Sequence, residues 1–548
     1  MKSIHIFFII CCLGFSATAQ QYDKPWFYIR AADTLIEPQF ERVGEVLKYS
    51  GTNRKMRRFF ENHTIYEFKK TYRKATRKNL KKTFFVIAES ESFKEELLDG
   101  LPRLFVFGET ILGEDKKIFE PNDYGLTSTI GENLGEPIIL DYLDYLKAPE
   151  AWYYTVGERD VIIGISDGRV DTIDPDFKGK TKIIKKSSIA DGHGYSSSAN
   201  AAAQGNNAHG TVGVCYNCSV YGTSYIDLSK LSYLKELSDM GVRIINCSWA
   251  TTRRYDTAQE IINEMWDNGT IVIASSGNKK WKDTKGKVYH YPASYDHVIS
   301  VGSVMYRNET WHGNLKVGQT NRYYGENIRH YLGRTMGFRN NDTLTKPIIW
   351  PISIPTLNTD VDLLTPTVGL FRYSRYLLED YKLMYSEYAT TSGAAPLVSG
   401  TIGLMLSLVP CLPVEEIEPI LKMASTNIDY VEENKPYQGR YGAGALSTGN
   451  TIKLLYDLYT EDATSTIQNQ DFSRWKFTVR SFSERTVIKN QKFRDSSQLK
   501  LKAKNKVVIQ SGTVLKPNKE GYIRITIAPE LKRDCDLRFR DPSLFEEE

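Results

Sequence analysis

Four short apolar runs, at residues 161–165, 243–246, 270–274 and 298–301, most constrain what this chain can fold into. They do not alternate polar with apolar side chains, so each reads as a strand covered on both faces. Helical stretches at 231–240 and 257–268 fall between them. That alternation predicts a mostly parallel sheet with helices on both sides, an α/β fold in three layers. The rhythm runs from about residue 135 to 455. It is interrupted at 305–358, a stretch rich in Asn, Arg and aromatic residues that reads as an inserted surface excursion.

The chain on either side follows other patterns. From 21 to 115 the sequence predicts strands at 26–31, 64–68, 84–88 and 104–107, with amphipathic helices at 39–47 and 92–98. A β-α-β-β-α-β order implies a small α+β domain, one sheet covered by two helices. The polar stretch 114–133 reads as a linker. The basic run at 69–82 (KKTYRKATRKNLKK) reads as a solvated or protease-sensitive connection rather than a binding patch. Beyond 465, runs at 476–479, 498–503, 506–510 and 522–527 alternate or are β-branched, with turns at Gly512 and Gly521. They predict a small all-β module.

At 548 residues the chain is too long for one compact core, so two to four domains are expected. A formal net charge of +5 is small for this length. It gives no reason to expect nucleic acid, which needs a concentrated basic face. Residues 1–19 read as a signal peptide: Lys2 starts it, 4–15 are apolar, and Ala17-Thr18-Ala19 form a small-residue cleavage site. The apolar part is too short to span a bilayer, and no later run suits a transmembrane helix. The two cysteines inside it, Cys11 and Cys12, lack a convincing lipid-attachment context. The protein is therefore expected to be secreted or held at the cell surface. After processing, Cys215, Cys218, Cys247, Cys411 and Cys535 remain. An odd, sparse set is not a disulfide framework. Cys215 and Cys218 have CxxC spacing without a second pair or His at zinc-site spacing, so they read as one optional bridge or two buried thiols.

Several strand ends carry polar side chains. Residues 162–167 (IIGISD) end in Asp167, where parallel sheets place catalysis. Residues 273–278 (IASSGN) end in Asn278. Residues 390–396 (TTSGAAP) put Ser392 just before a helix of small residues, whose free N–H groups and positive end suit an oxyanion. Asn246-Cys247-Ser248-Trp249 closes a further strand. Taken singly, an Asp after a strand is usually a turn residue, and a Ser before a helix is usually an N-cap. Their joint order carries the signal.

The blocks IIGISD, INCSW, IASSGN, YPASYDHVISVGSV and TTSGAAPLVSG resemble, in sequence, those of subtilisin-like serine proteases. The resemblance continues through the helix at 413–423 and the Gly-rich block at 441–446, and covers about residues 120–455. It implies a serine-type endopeptidase with a triad in the order Asp, His, Ser. Asp167 and Ser392 then fall in place, while the histidine has two candidates, His193 and His209. A motif search for His-Gly-Thr would choose His209. The family's histidine, however, opens a small-residue helix that is followed by a loop and a strand. Residues 213–221 match that strand, and only three residues separate His209 from Gly213. His193 is followed by small residues at 196–203 and a loop at Asn206-Asn207, so the spacing favours His193.

The resemblance further implies that Asn278 donates to the oxyanion, and that Ser248, Trp249 and Ala250 with Ser275, Ser276 and Gly277 flank the primary specificity pocket. It also implies a peptide or protein substrate, no cofactor for the chemistry and monomeric action. The domains then read as a signal peptide (1–19), a propeptide acting as intramolecular inhibitor (20–120), a peptidase domain (121–460) and a C-terminal β module (465–548). Structural calcium is common in the family, but no contiguous acidic loop marks a metal site here. Three positions depart from the family pattern: Gly168-Arg169 after the acid, Tyr195 after the histidine, and Thr390 where glycine usually opens the serine block. They leave an alternative, an inactive relative used as a peptide-binding or adhesion module.

Overall fold

The computed structural model describes residues 24–540, except 44–45, 71–76, 113–120, 122–140, 190, 208, 226, 280–287, 307–329, 334–355, 359, 368, 373–382 and 387–389. The signal-peptide expectation, most of the linker and most of the expected insertion at 305–358 lie outside these residues. The chain divides into two compact units, one up to Lys117 and one from Ile118 to Arg540.

The first unit is one antiparallel sheet with two helices, Arg54–Phe60 and Phe93–Gly100. Its strands are β1 (Trp26–Ala31), β2 (Phe40–Val43), β3 (Val46–Tyr49), β4 (Ile65–Lys70), β5 (Thr83–Ala88) and β6 (Phe105–Ile111), in the order β2-β3-β4-β5-β1-β6. The helix expected at 39–47 is instead the β2–β3 hairpin. Phe40 pairs with Tyr49 across it and packs its ring on Phe60 and Phe68, which only an extended chain allows. The basic run at 69–82 begins inside β4 and ends in a short turn, Leu80–Lys82.

The second unit is built on a seven-stranded parallel sheet. Its strands are β7 (Ile162–Asp167), β8 (Thr181–Ile183), β9 (Ser219–Ser224), β10 (Ile244–Cys247), β11 (Ile271–Ser275), β12 (Val298–Ser303) and β13 (Leu363–Thr365). They lie in the order β13-β12-β11-β10-β7-β9-β8. The four runs read from the sequence are β7, β10, β11 and β12, and apart from half-buried Ile162 their Ile and Val side chains are buried on both faces. A hairpin of β14 (Gly369–Arg372) and β15 (Leu383–Ser386) is also present. Strand β7 sits between β10 and β9, where the winding reverses. The crevice beyond the carboxyl ends of β7 and β10 is thus the place this topology leaves open for a ligand. Helix Ala395–Leu408 is buried along its whole length and runs through the core to deliver its N-terminus there.

The C-terminal region is all-β, but with long-range parallel pairing. Strands β16 (Thr464–Gln468), β17 (Asp471–Phe472) and β18 (Lys476–Ser481) form a first rung; β19 (Arg485–Lys489), β20 (Lys492–Asp495) and β21 (Gln498–Ala503) a second. The third is β22 (Lys506–Ile509), β23 (Val514–Pro517) and β24 (Tyr522–Ile527). Each strand pairs in parallel with the one three later, giving three narrow sheets wound as a solenoid. Phe472, Phe477 and Phe493 pack together inside it, tilted and edge-on, and Asn469 and Asn490 take the left-handed corners.

The solenoid is fastened to the α/β layer. Cys411 is bridged to Cys535, a pairing that the odd cysteine count concealed, and Cys215 is bridged to Cys218. Beyond the solenoid, Arg538 N–H donates to the Leu408 carbonyl and Arg540 N–H to the Tyr154 carbonyl, each at 2.9 Å. Glu416, 1% exposed, accepts from Arg480 Nε at 2.6 Å and from Tyr459 O–H at 3.0 Å.

Candidate active site

Asp167 ends β7 and is almost fully buried. Its Oδ1 accepts from the Gly168 N–H at 2.6 Å and lies 2.7 Å from His193 Nδ1; its Oδ2 accepts from Ser197 O–H at 2.8 Å. His193 is the first residue of helix His193–Ala202. Ser197, one turn on, shares its face, which is why both reach one carboxylate. Ser197 escaped the sequence reading, although its spacing from His193 is a signal that could have found it. The helix start lies hard against the loop after Asp167. A β-carbon at Gly194 would come within 2.5 Å of the Gly168 carbonyl, so glycine alone fits there.

His209 lies elsewhere. Its Nε2 is 3.5 Å from Asp174 Oδ1, in a loop whose Asn207 side chain and Thr211 N–H donate to buried Asp176. Burial first and the neighbouring Asp174 second push the Asp176 pKa up to about 7, against those hydrogen bonds and His209.

Ser392 lies in a short turn, Thr391–Gly393, at the head of the buried helix. Its hydroxyl donates to the Ser248 carbonyl at 3.0 Å. The Ser248 hydroxyl donates back to the Ser392 carbonyl at 2.8 Å and accepts from Asn246 Nδ2 at 2.9 Å. Asn246 Oδ1 in turn accepts from Ser399 at 3.2 Å. This buried relay ties the end of β10 to the serine turn. Asn200, from the histidine helix, reaches the Gly393 carbonyl at 3.3 Å. From the sequence Asn246 was read only as part of a strand end, and Asn200 was not singled out.

Asn278 follows β11 and is exposed at the crevice. Its Oδ1 accepts from the Thr391 N–H at 3.0 Å and from the Thr391 hydroxyl at 2.8 Å. Two donors on the oxygen fix the amide orientation and leave the NH₂ group available. Gly277, with φ +102, lets the chain turn between Ser276 and Asn278. Ser275 is buried in β11, and the Ser276 hydroxyl donates to the Thr356 carbonyl at 3.2 Å. Trp249 Nε1 donates to Ser166 Oγ at 3.1 Å, and its ring stacks near Tyr225. Ala250 leads into Thr251, which pairs with Tyr291.

Each departure from the family pattern has a local setting. Arg169 is exposed and donates to the Ser187 carbonyl. Tyr195 is 3% exposed and packs edge-on to Phe177. Thr390 has φ −96, extended backbone that needs no glycine.

The electrostatics follow from burial and charge. Burial of the His193 ring disfavours its charged form, but the charge and hydrogen bond of Asp167, with Asp191, outweigh it and raise its pKa. Burial also pushes up the thiol of Cys247, which carries no disulfide, so it is a poor nucleophile. Among the described residues no three His, Cys, Asp or Glu side chains cluster to hold a metal ion. The one stretch of these residues apolar and long enough to cross a membrane, Thr391–Leu408, is buried in the fold.

A sequence model of the subtilase family matches residues 158–444. Among curated proteins, the thermophilic serine proteinase of Bacillus sp. (strain AK1) is 30% identical over 179 residues, 30% of this chain and 42% of that protein. Thermitase of Thermoactinomyces vulgaris is 27% identical over 172 residues, 29% of this chain and 60% of that one. Subtilisin DY of Bacillus licheniformis is 23% identical over 279 residues, 49% and 84% of the two chains. The chain thus spans less than two thirds of the first two relatives. Among solved structures, a protease of Pseudoalteromonas arctica aligns with a TM-score of 0.40 at 17% identity, over 57% of this chain and 97% of that one.

Proposed function

This chain belongs to the subtilase family, and from that premise we propose that it is a serine endopeptidase working through Asp167, His193 and Ser392. The observation that carries the reading is the 2.7 Å contact between Asp167 and His193 Nδ1 at the sheet's switch point. With Nδ1 committed to the carboxylate, Nε2 is the nitrogen left to take the Ser392 proton. Rotation about the Ser392 Cα–Cβ bond exchanges its carbonyl acceptor for Nε2. The oxygen then attacks the scissile carbonyl, and the imidazolium returns the proton to the leaving amine. Water resolves the acyl-enzyme by the same steps. The anionic oxygen of the tetrahedral intermediate is received by Asn278 Nδ2 and the Ser392 N–H. Substrate lies between the Ser248–Ala250 and Ser275–Gly277 segments.

Asn278→Ala is expected to lower kcat about 100- to 1,000-fold with KM little changed, because the lost donor acts only on the developing charge. Steady-state cleavage of a peptide substrate measures it. A loss smaller than about threefold would remove Asn278 from this role.

We further propose that the protein is exported by its first 19 residues. The two disulfides suit an oxidising compartment. Residues 20–120 are proposed as a propeptide removed on maturation. A mature N-terminus near Gln20, read by N-terminal sequencing, would contradict that assignment.

A further inference from the structure

His290 is 6% exposed and has no task in the scheme above. It lies between the two segments that flank the substrate. On one side its neighbour Tyr291 exchanges backbone hydrogen bonds of 2.8 Å with Thr251, directly after Ser248–Ala250. On the other, its ring packs on Gly277. A β-carbon at Gly277 would lie 2.6 Å from His290 Nδ1, and the next residue is Asn278. The ring is thus held between those two segments.

His290 Nδ1 has no hydrogen-bond partner among the described residues. A buried, unsatisfied ring nitrogen is costly unless a ligand completes it. Lys279, the residue after Asn278, is exposed and makes no ion pair among the described residues, and its charge acts on the His290 ring. Among the described residues no carboxylate acts on this ring. Burial first and Lys279 second lower the pKa of His290, while a hydrogen bond to the Ser276 backbone acts the other way. The lowered pKa favours the neutral imidazole at neutral pH, and an arriving carboxylate favours its protonation.

We propose that His290 and Lys279 form an acid-reading floor in the primary specificity pocket, so that peptides with Glu or Asp on the acyl side of the scissile bond are the preferred substrates. The proposal rests on the serine endopeptidase reading. The imidazole N–H and the ammonium give a carboxylate two charge-assisted partners, where an amide offers one uncharged acceptor oxygen and an aromatic ring offers none.

The test uses the exported, processed protein and peptides that differ only at the acyl-side residue: Glu, Asp, Gln, Phe or Lys. Wild type is expected to cleave the Glu or Asp peptide with kcat/KM about tenfold to hundredfold above Gln, the scale of one hydrogen bond to a charged group. His290→Phe keeps a ring of similar size and removes the nitrogen; it should reduce the ratio to about twofold or less. Lys279→Glu, at an exposed position, should shift preference toward Lys. Equal cleavage of Glu and Gln peptides, or preference for Phe, would overturn the proposal and leave the endopeptidase reading standing, provided Ser392→Ala abolishes the cleavage. Absence of Ser392-dependent cleavage across the panel would overturn both.

Discussion

Asp167→Asn is expected to lower kcat about 10⁴-fold while the fold survives, since an amide of the same shape cannot hold the imidazole in its working tautomer. The carboxylate makes three contacts: His193 Nδ1 and the Gly168 N–H on one oxygen, the Ser197 hydroxyl on the other. An amide keeps an acceptor at one of the two oxygen positions and presents a donor at the other. The pH profile carries a second signature. Only neutral His193 can accept the Ser392 proton, so activity is present above its pKa and lost as pH falls through it. Burial works against the charged ring, but the charge and hydrogen bond of Asp167, with Asp191, raise the pKa above the ordinary 6.5. The acid limb of kcat/KM in wild type should therefore have its midpoint above pH 6.5. In Asp167→Asn the raising contributions of the carboxylate are gone and burial remains, so the limb of the residual activity should move to lower pH. A limb that stays in place, or a loss of less than about tenfold, would detach Asp167 from His193 in the mechanism.

The second large effect concerns stability. Arg480→Ala should destabilise the 118–540 unit by about 3–5 kcal/mol, because it leaves the Glu416 carboxylate buried without its cation. Arg480 comes from β18 of the solenoid and Glu416 from helix Val414–Ala424 of the α/β layer. Burial pushes the Glu416 pKa up even with Arg480 present, so its removal leaves Tyr459 as the remaining side-chain donor. The arginine also reaches Asp534, near the Cys411–Cys535 bridge. Thermal unfolding with and without Glu416→Gln reads the effect. The glutamine should restore much of the loss in the Arg480→Ala background, since it removes the orphaned charge. An unchanged midpoint in Arg480→Ala would show that the solenoid contributes little to the unit.

The sheet was legible because burial on both faces leaves unbroken Ile and Val runs, and Asp167 and Asn278 are the polar residues next to such runs. The histidine helix was legible from spacing: ten residues from His193 to Ala202 fit where none fit after His209. Residues 39–47 misled because Phe40, Val43 and Leu47 also fit a helical spacing. Tertiary pairing with Tyr49 decided for the hairpin. The solenoid read only as β because each strand's partner lies three loops and two strands away, beyond any local pattern. Thr464, Arg485 and Lys506 stand side by side without sharing a sequence signal. Ser197 and Asn200 were passed over for a related reason. Both are small polar residues inside apolar or small-residue runs, and only the folded contacts give them partners.

The central claim, that Ser392 is a nucleophile activated by His193, is tested most directly by labelling the processed protein with a fluorophosphonate serine probe. Wild type, Ser392→Ala, His193→Ala and His209→Ala would be compared at equal folded concentration. The account predicts labelling of wild type and His209→Ala, with Ser392→Ala and His193→Ala dark. Labelling of His193→Ala alongside a dark His209→Ala, or no labelling of correctly folded wild type, would contradict it.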